Sequence, residues 1–294
     1  MRCDLHVHTV HSGRCTVPLL KAVCRESYNA PEEVYERLKR LGMDLVTITD
    51  HDSIDAVEAL RGRPDFFLSE EVTCRLPSGT EMHVGVYDLN DRQHVEIQRR
   101  REDFPALAAY LRGERLFFTA NHIFSSLTGA RALEDFDCFE AAFPAFETRN
   151  SLMLAAANER AAGLAGWMGK GQVGGSDAHA MPSVGRAWTE VPGARDKHEF
   201  LAGLRRGLGR VHGECGNYWK LTRDVLLIGG SMVRENPATL PLAPLALAVP
   251  LVTLANFILE SWFARRWMGK VQHARMRRGG SLAAGRAPVP EAAA

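Results

Sequence analysis

One recurrence constrains this chain more than any other. Runs that read as β-strands repeatedly carry, or stop at, a residue able to bind a metal. The first is Asp4-Leu5-His6-Val7-His8-Thr9, almost at the N-terminus. Strand side chains alternate faces, so His6 and His8 point the same way, about 7 Å apart, and can close on one ion. The β-branched run 45–49 stops at Asp50-His51-Asp52, and a strand over 66–73 carries Glu70 and Glu71. A strand over 81–89 contains His83, one over 116–120 stops at Asn121-His122, and a short one at 145–148 ends near Asn150. A last strand, 172–175, leads to Ser176-Asp177-Ala178-His179.

Helices fill the spaces between these runs. Pro31-Glu32-Glu33 opens one, since proline suits the first turn and acidic side chains favour its positive end. Residues 54–60, 91–112 and 151–162 read as further helices. Strands alternating with helices imply a largely parallel sheet, and about seven strand candidates suit a closed or distorted α/β barrel with its chemistry at the strands' carboxyl ends. A turn is expected at Pro77-Ser78-Gly79.

Six of the eleven histidines and two carboxylates occupy the strand-linked positions: His6, His8, His51, Glu71, His83, His122, Asp177 and His179. Imidazole and carboxylate without thiolate suit Mn²⁺, Fe²⁺ or Zn²⁺, and eight ligands exceed one tetrahedral ion. A cluster of two or three divalent ions is the natural reading, with a carboxylate such as Glu71 bridging. Any one such histidine is more often an unrelated polar residue at a strand end; all eight together are not. The net charge of +1 gives no strong nucleic-acid signal. The six cysteines show no CxxC spacing and read as reduced thiols of an intracellular protein. No signal peptide precedes the first strand, which favours folding in the cytoplasm.

In order along the chain, the Asp4–Thr9 segment, Thr49-Asp50-His51-Asp52-Ser53, the Glu71 strand, His83, Asn121-His122 and Gly175-Ser176-Asp177-Ala178-His179 resemble the motifs of the PHP (polymerase and histidinol phosphatase) superfamily. The resemblance covers roughly residues 1–215. It implies a distorted (β/α)7 barrel and hydrolysis of a phosphoester by a metal-held hydroxide at a two- or three-metal site; the absence of a strong basic stripe favours a small phosphomonoester or nucleotide as substrate. It also implies roles. His6, His8, Glu71 and Asp177 would bind a first metal, Glu71, His83 and His122 a second, and His51 and His179 a third. Glu71, Asp177 and His179 form the catalytic set, and Asp50 orients an imidazole from behind. Many family members carry a further third-metal ligand just after the first motif; here Gly13 and Arg14 stand there, and the nearby His11 is out of register. Arg14 and Arg186 are candidate phosphate-binding residues, with Arg149 and Asn150 weaker ones. Glu70, on the opposite face from Glu71, is expected toward solvent or a helix. His94, His198, His212 and His273 are expected at the surface. The competing readings are a nuclease on short oligonucleotides and a non-catalytic metal-binding module.

Beyond residue 215 the composition changes. Residues 240–259 contain no charge, a length that could reach across a bilayer core, and Trp262, Trp267, Arg265, Arg266 and Lys270 follow as at an interface. One full span would place the basic tail outside a cytoplasmic barrel's compartment, against the positive-inside tendency, and Pro241, Pro244 and Pro250 interrupt a straight helix. A monotopic insertion through 240–267 on the cytoplasmic membrane face is the expectation; the alternative is a buried segment closing the barrel or a dimer contact. The divisions are thus 1–215, 216–267, and a basic then Ala/Pro-rich, disordered tail at 268–294.

Overall fold

The computed structural model describes residues 1–18 and 20–277. In chain order it comprises β1 (Arg2–Cys3), α1 (Pro31–Arg40), α2 (Val57–Leu60), β2 (Ser69–Arg75), β3 (Glu81–Tyr87), α3 (Asp91–Gln98), α4 (Phe104–Gly113), β4 (Phe117–Ala120), α5 (Leu133–Ala142), β5 (Ala145–Asn150), α6 (Ala155–Trp167), β6 (Gly171–Gly175), β7 (Ala187–Glu190), α7 (Lys197–Arg205), β8 (Arg210–Gly213), α8 (Tyr218–Glu235) and α9 (Val249–Arg277), with a 3-10 segment, Pro237–Ala248, between the last two. The fold is mixed α/β.

Five strands form one sheet in the order β2-β3-β4-β5-β6, and β1-β7-β8 form another. The expectation of a largely parallel sheet holds only for β4-β5-β6; β2-β3 and β3-β4 are antiparallel. The short turn through Pro77-Ser78-Gly79 cannot carry a crossover, so β2 and β3 must return on each other.

The runs at 4–9 and 45–49 are extended but are not ladder strands. In the first run three N–H groups go to side chains instead, whereas those of Leu45, Val46 and Thr49 go to scattered backbone carbonyls. Val7 N donates to Thr49 Oγ1, His6 N and Ser176 N to Asp4 Oδ1, and Thr9 N to Asp50 Oδ1. Side-chain acceptors thereby take the place of a neighbouring strand. A few backbone bonds still stitch these segments together: Asp177 N to His6 O and His8 N to Ala178 O on one side, Thr49 N to Val7 O on the other, then Phe67 N to Val46 O and Glu71 N to Asp50 O. No regular ladder closes the five-stranded sheet among the described residues.

Residues 91–112 form two helices rather than one. Asp103 caps α4 by accepting from Ala106 N, and Pro105 sits in its first turn. The main core lies between the five-stranded sheet and α4, α5, α6 and α9. Phe118, Phe136, Phe139, Phe143 and Phe146 are buried there with Phe263, Trp267 and Val271 of α9. Helix α9 therefore continues through 268–277 as part of the domain; the remainder of the expected tail, 278–294, lies outside the described residues.

Candidate metal centre

Glu71 lies at the middle of the site and is fully buried. Its Oε2 is 3.2 Å from His6 Nε2, 3.5 Å from His8 Nε2, 3.2 Å from His51 Nδ1 and 3.6 Å from His83 Nδ1. Its Oε1 lies 3.2 Å from His122 Nε2 and accepts from Asn121 Nδ2 at 2.8 Å. Asp177 Oδ1 faces His6 Nε2 at 3.4 Å and His8 Nε2 at 3.3 Å. Asp177 Oδ2 accepts from Asn150 Nδ2. All eight expected ligand residues thus meet in one place, drawn from six separate stretches of chain.

Metal-capable groups within the centre are His6/His8/Asp177, His6/Glu71/His122, His51/Glu71/His83 and His8/His51/His179. The first matches three of the four residues expected at a first metal. His51, expected with His179, faces Glu71 and His83 as well.

Local structure fixes which nitrogens are available. His6 Nδ1–H donates to Glu147 Oε1 at 2.8 Å. Ser12 Oγ donates to Asp50 Oδ1 at 2.6 Å, so it accepts from His8 Nδ1–H at 2.9 Å. His179 Nδ1–H donates to the carbonyl of Asp177. In each ring the outer contact occupies Nδ1 and leaves the Nε2 lone pair facing inward. Asp50 acts on His8 through Ser12 rather than by direct contact, and also accepts from Thr9. Both His122 and Asp177 have left-handed backbones, with φ of 27° and 54°, a strained arrangement typical of functional positions.

A cation fits this donor set. His6 Nε2, His8 Nε2, His51 Nδ1, His83 Nδ1 and Glu71 Oε2 are buried without hydrogen-bond partners, yet all five converge. Each such atom left unpaired costs about 1–3 kcal/mol. Separations near 3.2–3.6 Å match the edges of a coordination shell with metal–ligand bonds of about 2.1 Å. The electrostatics agree. Burial alone would raise the Glu71 carboxyl, but His6, His83 and His51 hold it well below the usual range. Asp177 is likewise lowered against its burial by His6, His8 and His179. Burial, with Glu71 partly opposing it, pushes His51 down to about 3 and His83 down to about 4, the neutral state that coordination requires.

Other candidates sit elsewhere. Arg14 is exposed on the 10–29 loop. Arg186 is at the surface, its Nε on the carbonyl of Pro182 and its Nη1 3.3 Å from Glu214. Arg149 donates to Cys215 Sγ. Glu70 faces helix α3, accepting from His94 and Gln98, so His94 has a buried partner rather than only solvent. His212 also has partners: it lies 3.1 Å from Glu190 and stacks on Trp188. Glu26 and Glu147 both reach the centre although sequence reasoning did not single them out. Glu147 follows the same rule as the other ligands, a carboxylate on a short buried strand, and that signal was available.

Residues 155–208, which include Asp177 and His179, match the PHP-associated family. Among solved structures, the chain is similar to a two-domain protein from Bacteroides vulgatus containing a predicted PHP-like metal-dependent phosphoesterase, with a TM-score of 0.57 and 16% identity over 73% of this chain and 65% of that one. It is also similar to PsfC from Pseudomonas syringae, with a TM-score of 0.55 and 20% identity over 80% of this chain and 98% of that one. At these identities the likeness is one of fold. Sequence comparison with curated proteins finds no match. The family match and the fold bear out the PHP resemblance carried by the motifs.

Proposed function

We propose that this PHP-type chain is a metal-dependent phosphoesterase acting on a small phosphomonoester or nucleotide. The observation that carries the reading is the convergence of four unpartnered histidine nitrogens on Glu71 Oε2, with Asp177 and His122 alongside. In this reading His6, His8, Glu71 and Asp177 hold a first ion, Glu71, His83 and His122 a second, and His51 and His179 belong to a third. Bound divalent ions would supply a nucleophile from water at neutral pH and neutralise charge on the phosphoryl oxygens. The chain's own part is to hold Glu71 and Asp177 ionised, to keep His8, His51 and His83 neutral, and to orient the ligands through Asp50, Asn121, Glu147 and Asn150. Arg14 and Arg186 are the proposed phosphate contacts. Arg186 would have to leave Glu214 to serve.

Charge supports more than one ion. Four carboxylates, Glu26, Glu71, Glu147 and Asp177, face the imidazoles. Two divalent ions balance them, and a third leaves positive charge to meet a phosphate dianion. The hydrogen bonds that link 6–8 to 177–178 and to 49, and 46–50 to 67–71, support a distorted seven-segment barrel with two irregular members.

The C-terminal hairpin supports a monotopic membrane contact. Residues 237–274 are long and apolar enough to cross a bilayer, and only 6% of the most apolar window is buried. Leu247 is 87% exposed and Leu251 71%. A full crossing would pull Phe263, Trp267 and Val271 out of the core, where Trp267 stacks on Phe136. Insertion of the exposed tip alone leaves that packing intact. The hairpin is also tied to loops around the site, by Glu235 to Arg25, Asp224 to Ser183 and Glu260 to Ser126. In this reading, such ties would hold the site beside the membrane surface.

The test is metal content per chain in detergent, with a phosphoester screen. Asp177→Asn and His83→Ala should each lower turnover at least about hundredfold, the scale of losing transition-state charge stabilisation. Folded protein that takes up no ion, or variants with near-normal turnover, would overturn the proposal.

A further inference from the structure

Glu26 lies outside every motif, in a loop whose ends are held by the first motif and α1. That loop folds back on itself. Cys15 N donates to Cys24 O, Arg14 and Arg25 form an isolated antiparallel bridge, and Glu26 N donates to Gly13 O at 3.1 Å. The pairing sets Glu26 directly across from Gly13, one of the two positions where the resemblance leads one to expect a ligand and the chain has none. Its side chain is mostly buried and points to the same end of the centre. Oε2 is 3.7 Å from His51 Nε2 and Oε1 is 4.0 Å from His179 Nε2; with His51 binding here through Nε2, its Nδ1 carries the proton and faces Glu71 Oε2 at 3.2 Å. The His179 contact through Nδ1 leaves that Nε2 free to bind. The neighbouring Arg25 is turned away, to Glu235 and the carbonyl of Val10, and does not neutralise Glu26.

The geometry points to Glu26 as the third carboxylate ligand of the centre, completing with His51 and His179 a cation site that the first motif leaves one ligand short. The inference rests on the metal-centre reading above. A carboxylate beside two imidazoles is an anionic N/O donor set, suited to Mn²⁺, Fe²⁺ or Zn²⁺. The hairpin thus supplies across two strands what a single side chain at residue 13 or 14 would supply locally.

The experiment counts Mn²⁺ and Zn²⁺ ions retained by the full chain in detergent after desalting, for wild type, Glu26→Gln and the double variant Glu26→Gln/Gly13→Asp. Circular dichroism follows folding in each. Glu26→Gln should hold one ion fewer than wild type, with the affinity of the remaining ions unchanged, and the double variant should regain it. An equal count in folded wild type and Glu26→Gln overturns the assignment while leaving the Glu71 centre standing. If Glu26→Gln does not fold, Glu26→Asp, which keeps the charge and shortens the arm, is measured instead; full retention by a folded Glu26→Asp together with no gain from Gly13→Asp alone in ion affinity overturns it equally. Wild type holding no ion overturns the metal-centre reading itself, and this inference with it.

Discussion

Glu147→Gln separates orientation from ligation at the metal centre. Among the proposed ligand side chains, Glu147 bonds only that of His6. Its Oε1 accepts from His6 Nδ1 at 2.8 Å, while Oε2 accepts from His122 N at 3.0 Å and Asn150 Nδ2 at 2.9 Å. Glutamine keeps the shape but has one acceptor. If its carbonyl serves His122 and Asn150, its amide N–H faces His6 Nδ1. The imidazole must then accept there, which moves its proton to Nε2 and removes the lone pair aimed at Glu71 and Asp177. If the amide turns over, two donors instead confront the N–H groups of His122 and Asn150. Both outcomes weaken a ligand that stays in place. Loss of such an outer partner lowers metal affinity about 10–100-fold, equivalent to about 1.4–2.7 kcal/mol. Competition against a chromophoric chelator would read the affinity, and melting in excess chelator would check the fold. Affinity within about twofold of wild type would refute the argument that the Glu147 contact sets the His6 tautomer.

The remaining predictions probe packing, charge and the membrane face. A Cβ on Gly175 would lie 2.3 Å from His6 N and 2.4 Å from His6 Cβ, so Gly175→Ala should destabilise the fold by at least the about 1–3 kcal/mol of overpacking and displace His6; normal melting and metal content would contradict this. Glu260→Ala strands Ser126 N and Oγ, which both donate to Glu260, and should cost about 1–3 kcal/mol in thermal or denaturant unfolding; no change would show the tether to be idle. Leu247→Glu/Leu251→Glu should abolish flotation with anionic vesicles, and undiminished flotation would remove the hairpin tip as the membrane contact. His94 is raised above its ordinary value of 6.5 by its hydrogen bond to Glu70. Its stabilising contribution is therefore complete below that value and lost as pH rises through the raised one. The stability gap between wild type and His94→Gln should be widest in acid and close with rising pH; a gap that widens with pH would reverse the reasoning.

The fold was legible where hydrophobic pattern and backbone pairing agree. Strands β2 to β6 all fall within or beside runs that the sequence marks, because each buries Val, Phe or Ala against helices and pairs with a neighbour. Pattern and pairing part company at 4–9 and 45–49. In the first, Asp4, Thr49 and Asp50 take the N–H groups that a ladder would have used, and in the second the N–H groups of Leu45, Val46 and Thr49 go to three different segments. Periodicity reports which side chains are buried, not who accepts from the backbone. The break between α3 and α4 was marked by Asp103-Phe104-Pro105, a capping residue followed by a proline, but the charged residues around it mask the boundary. Elements such as α5, β7 and β8 lay outside the motif-bearing runs and were not read from the sequence.

The centre divides along the same line. Every residue found from the sequence is announced by its own stretch of chain, a partner as His8 is to His6 and His179 to Asp177, or a strand that carries it, as with Glu71 and His83. The residues that were missed act across long separations: Glu147 on His6, Asn121 on Glu71, and Glu26 on His51 and His179. What they contribute is orientation and charge, and neither needs a fixed spacing. Asp50 shows the intermediate case, since its place beside His51 was readable but its route through Ser12 to His8 was not. A carboxylate can reach an imidazole from any segment that passes nearby, so its position is set by the path of the chain and not by a motif. The loop at 10–29 makes this concrete. Gly13 reads as a missing ligand only while the chain is taken as a line; once Arg14 pairs with Arg25, the residue opposite Gly13 is Glu26.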